Sequence, residues 1–144
     1  MYTEKENCFY YITIENENYA HPDMPADCAE GIIKGMYLLE PSQGEHNMTV
    51  QLMGGGAILR EVREAAVILR NEYSIDADVW SMTSINELRR EGLACDRWNL
   101  VNPDQPLKTS YVASQLEGHE GPVVCATAYI KSYGEQIAPF IRRK

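Results

Sequence analysis

Apolar and polar positions follow two rhythms along this chain, and the change from one to the other outlines its organisation. Cys8-Phe9-Tyr10-Tyr11-Ile12-Thr13-Ile14 is a short continuous run of aromatic, β-branched and other apolar residues. Such a run predicts a strand buried on both faces, as inside a parallel sheet. Glu15-Asn16-Glu17-Asn18 stops it with turn-favouring residues. From Tyr19 to Met48 the chain carries Pro22, Pro25 and Pro41 and one helix-compatible patch, Ala26 to Leu39. That stretch reads as a connector, and a connector of this length marks a candidate domain boundary.

After Met48 the pattern becomes regular. Thr49-Val50-Gln51-Leu52-Met53 predicts a strand, Gly54-Gly55-Gly56 a tight turn, and Ile58, Val62, Ala65 and Leu69 the apolar stripe of a helix. Asp78 to Met82 predicts a second strand. Ser84 with Glu87 forms a capping box that starts the next helix, whose interior Gly92 interrupts, so that Leu93, Cys95 and Trp98 fit a bent or second segment. Pro103 and Pro106 mark a loop, and Ser110 caps a short helix carrying Tyr111, Val112 and Leu116. Pro122 to Thr127 predicts a third strand, Ser132 with Glu135 another capping box, and Ile137, Phe140 and Ile141 a last helix. Strands alternating with helices in this way are βαβ units and predict a mostly parallel sheet covered by helices.

Composition narrows the function classes. Lys+Arg 13 against Asp+Glu 21 leaves a formal net charge of −8. Binding to nucleic acid or an anionic membrane needs clustered basic residues, so neither is expected. No apolar run reaches the length of a membrane span, and Met1-Tyr2-Thr3-Glu4-Lys5 does not open a secretory signal. Cys8, Cys28, Cys95 and Cys125 stand far apart with no C-x-x-C pair, which predicts free thiols and a cytoplasmic location.

Candidate chemistry is sparse. The triple glycine between strand and helix invites an anion-binding reading. Gly54 and Gly56 fit the first two positions of G-x-G-x-x-G, but Leu59 occupies the third and no P-loop Lys-Ser/Thr follows, so a structural tight turn is the leading expectation. Asp76 or Asp78 would serve as a ribose anchor in that reading, or as a carboxylate pair on one strand face, although alternate strand positions share a face without implying catalysis. His21, His46 and His119 lie in polar or Pro/Gly-rich segments with no second ligand at helical spacing. His119, between Glu117 and Glu120, admits a weak metal site, but solvated side chains are expected at all three. No nucleophile elbow surrounds any Ser or Cys, and Cys125 in mid-strand reads as a small core residue. The residues alone present no catalytic, cofactor-binding or metal-binding constellation.

The order of segments carries more information than any one of them. Tyr10-Tyr11-Ile12-Thr13, Asn16-Glu17-Asn18-Tyr19 and Gly31 to Tyr37 resemble the homodimeric bacterial type of pyruvate dehydrogenase E1 component. The resemblance is strongest at Val50 to Ala66, persists at Ser81-Met82-Thr83-Ser84 with Glu87-Leu88, and is most discriminating at Cys95-Asp96-Arg97-Trp98-Asn99. It covers nearly the whole chain.

The resemblance implies an α/β fold: a transketolase C-terminal-like three-layer domain with a mostly parallel sheet. Residues 1–19 would be the end of the pyrimidine-binding domain, 20–48 the interdomain connector and 49–144 a truncated transketolase C-terminal-like domain. Met1 would match an internal methionine of the family, and the family would continue past Lys144 into a further strand, leaving the sheet incomplete at its C-terminal end. The family decarboxylates pyruvate on thiamine diphosphate with Mg²⁺ and reductively acetylates the lipoyl group of its E2 partner, dihydrolipoyl acetyltransferase. Its cofactor motif, catalytic glutamate and active-site histidines would all lie upstream, and His21 stands one place off a histidine of some relatives. The resemblance therefore implies no catalytic, cofactor or metal residue here, and an isolated chain without activity. Its role would be scaffold and dimer surface, partnered by the remainder of an E1 chain or by itself. The alternative is a free-standing α/β binding module holding an anion at the Gly54–Gly56 turn.

Overall fold

The computed structural model describes residues 3–12, 18 and 23–141. Among these, four strands form one sheet in the order β1-β3-β2-β4: β1 Met36–Glu40, β2 Thr49–Gly54, β3 Asp76–Met82 and β4 Val123–Ala126. β2 runs parallel to both β3 and β4, whereas β1 pairs antiparallel with β3. β2 and β3 are buried along almost their whole length because helices cover both sheet faces. The expected α/β architecture with a mostly parallel sheet is the one observed.

The two-residue period of the strands sorts side chains into two cores. On one face Val50, Leu52 and Val79 pack under α2 (Ile58–Tyr73), whose stripe delivers Val62 with Ile58 and Leu69 beside it. On the other face Met53, Trp80 and Met82 meet Ile85 and Leu88 of α3 (Ile85–Val101) and Val112 of α4 (Tyr111–Gln115). Ile137 and Phe140, around the 3-10 turn Ala138–Phe140, close this second core.

Both predicted serine caps of α3 and α4 form. Ser84 Oγ accepts the Glu87 amide at 3.2 Å and Ser110 Oγ the Ala113 amide at 3.4 Å. At Ser84 the return half of the box is replaced: the Ser84 amide donates to the Gly35 carbonyl, and the Glu87 carboxylate pairs with Arg90.

Four expectations are corrected. The run Cys8 to Ile14 is not a strand over its described part. Residues 8–12 join no sheet, Phe9 and Tyr11 are 89% and 87% exposed, and Thr13 and Ile14 lie outside the described residues. A strand needs a neighbour, and none of the four strands supplies one. Within 20–48 the chain is more than a join, because α1 (Ala29–Lys34) and β1 lie there and Met36 is fully buried in the core. The Ser132–Glu135 box is absent, since α5 (Lys131–Glu135) begins two residues earlier than that box would start it, with Ile130 as an N-cap that makes no side-chain bond. The last apolar positions sit in the 3-10 turn, where Pro139 prevents an α-helix from continuing.

Gly92 does not bend α3, which is continuous over 17 residues. Its missing side chain lets the Phe140 ring rest on the helix: a Cβ there would stand 2.6–2.7 Å from three ring carbons. Gly92→Val should therefore cost about 1–3 kcal/mol by overpacking, despite the better helix propensity of valine. Urea unfolding measures this, and a neutral result would show that the Phe140 turn moves aside freely.

Candidate functional site

The richest polar cluster lies on the β3 face shared by Asp76, Asp78, Trp80 and Met82, towards the N-terminal ends of the parallel strands. Apolar side chains fill the Met82 end of this row, and carboxylates fill the Asp76 end. Asp78 is 4% exposed and fully partnered. Its Oδ1 accepts the Ser42 amide at 2.7 Å, and its Oδ2 accepts Gln51 Nε2 at 2.8 Å with His119 Nδ1 at 2.9 Å. Gln51 also donates to the Glu120 carbonyl and accepts Trp80 Nε1–H at 2.8 Å. The His119 ring meets Trp80 edge-on, centroids 5.0 Å apart. Asp76, 1% exposed, accepts the His46 amide at 2.8 Å and lies 3.1 Å from the His46 ring.

His46 and His119 are thus held against buried carboxylates rather than solvated, which corrects the expectation for both. The reason lies in the strand: two acidic residues pointing into a core recruit the nearest donors on the loops at that end of the sheet. His21 lies outside the described residues. Asp76 and Asp78 do share a face, but each has its own histidine, and the cluster's evident work is to tie the 41–48 and 117–122 loops to the sheet.

These contacts set the ionisation of the carboxylates. The backbone amide of His46, followed by its ring, holds Asp76 below the usual carboxylate range. Burial pushes Asp78 upward, but the Ser42 amide, His119 and Gln51 together outweigh it and leave its pKa lowered. A lowered folded pKa stabilises the fold fully above the unfolded value of about 3.9, and that stabilisation is lost as pH falls through the folded value. The urea midpoint should therefore drop steeply on acidification below about pH 4. Asp78→Asn should flatten that drop, and an unchanged acid slope in this variant would count against the assignment.

At the opposite end of the sheet, where α/β folds usually hold ligands, the Gly54–Gly56 turn leads into α2. Packing accounts for its first two glycines. A Cβ on Gly54 would lie 2.8 Å from Val62 Cγ2, and one on Gly55 would lie 2.6 Å from the Met82 carbonyl oxygen. Gly56 takes φ 62°, the left-handed turn position. Ala57 caps α2 without a side-chain bond, and the Leu59 and Arg60 amides turn back to the Gly56 and Ala57 carbonyls at 3.2 Å. Among the described residues no group of three or more His, Cys, Asp or Glu is placed to hold a metal ion.

The four cysteines are free thiols. Burial, with Glu91 beside it, pushes the Cys95 thiol up to about 11, and burial also raises Cys125, whose Sγ lies 3.7 Å from Met82 Sδ. Neither has the lowered pKa of a nucleophile. No helix among the described residues is long and apolar enough to cross a membrane.

Comparison with known proteins places the fold. Residues 35–143 match the transketolase-like TK C-terminal domain family. The chain belongs to that family. The match begins beside β1, consistent with that strand being part of the sheet. The chain is also similar along its length to curated relatives named pyruvate dehydrogenase E1 component. It is 55% identical to the one from Pseudomonas aeruginosa over 144 residues, covering 100% of this chain and 16% of that protein. The relatives from Cupriavidus necator and Escherichia coli (strain K12) are 42% identical over 145 residues and 46% over 142, with 100% and 98% of this chain covered. The chain spans about 16% of the length of these relatives, and it matches them as a C-terminal piece.

The Gln51–Asp78–Trp80–His119 network escaped the sequence reading. Its signal was present in the form of Gln51, Asp76 and Asp78 inside strands otherwise apolar. What the pattern did not reveal was which loop residues would fold back as their partners.

Proposed function

We propose that this chain is the C-terminal part of a pyruvate dehydrogenase E1 subunit. In that setting the whole enzyme would decarboxylate pyruvate on thiamine diphosphate and pass the acetyl group to the lipoyl group of an E2 partner in the cytoplasm. The segment would contribute scaffold and dimer surface, with residues 1–19 ending the preceding domain and 20–48 leading into this one. No catalytic, cofactor or metal role is assigned to its residues. The observation that carries this reading is the collinear match of the full chain, 55% identical, to one E1 component. The Asp76–Asp78 cluster supports it, since its polar side chains bond to one another and to loops.

Titration calorimetry of the purified chain with thiamine diphosphate and Mg²⁺ should show no heat of binding. Micromolar affinity would overturn the reading.

A further inference from the structure

We draw no further inference here: the strongest candidate, the exposed apolar surface patch at the C-terminal end of α3 and in the loop after it, where Trp98, Leu100, Val101 and Leu107 stand open and the Asn99 side chain clamps Lys108, carries no proposal because nothing in the structure shows what covers it.

Discussion

Trp80→Ala should lower the free energy of unfolding by about 3–5 kcal/mol, read from the urea midpoint at neutral pH. Trp80 is 1% exposed and stands between the apolar and polar halves of its strand face. Truncation would empty the space among Met36, Met53, Leu88 and Val112. It would also strip Gln51 Oε1 of the donor at 2.8 Å and His119 of its ring contact. Domains of this size hold roughly 5–15 kcal/mol, so the loss is a large fraction of the total. Trp80→Phe separates the two contributions. It keeps most of the volume but leaves the Gln51 acceptor unpaired, at a cost of about 1–3 kcal/mol. A phenylalanine variant as unstable as the alanine one would mean that the hydrogen bond, not the packing, dominates.

Asp78→Ala should cost about 3 kcal/mol, because it takes the shared acceptor from several donors around a buried position. The Ser42 amide, Gln51 Nε2 and the His119 ring would all lose their acceptor. Asp78→Asn should cost less, since its remaining carbonyl oxygen can still serve the Ser42 amide. Asp78 and Trp80 both lean on Gln51, so their effects should not add. A cycle combining Asp78→Ala with Trp80→Phe should show a coupling of about 0.5–3 kcal/mol. Strict additivity would show that Gln51 finds other partners when either neighbour is removed.

The elements from Met48 through β4 were legible because period and punctuation agreed there. Val50 and Leu52 on β2, the stripe ending at Leu69 on α2, and the serine caps at Ser84 and Ser110 each carried a local cause that the fold preserves. Residues 8–12 show the opposite case. Their propensity for strand is real, but pairing depends on a neighbour that propensity does not name. β1 was missed for a related reason, since Met36-Tyr37-Leu38-Leu39 sits among prolines and reads as helix-compatible in isolation. Only its antiparallel pairing with β3 makes it a strand. The histidine contacts were the least legible part. His46 meets Asp76 across 30 residues and His119 meets Asp78 across 41. Nothing in the surroundings of either histidine points to a buried carboxylate that far away.

The strand order also sets the sequence in which the chain can fold. β2, α2 and β3 follow one another directly, so the parallel pair at the centre of the sheet forms across one short crossover. β4 must then find β2 from half the chain away, with Gln51 meeting Val123. Closing the longer loop costs more entropy and rewards it with only four residues of pairing. The β2–α2–β3 unit is therefore the natural nucleus, and β4 docks late and departs first. Transient loss of β4 would therefore bare β2, whose residues are buried from Val50 to Gly54, to any chain nearby.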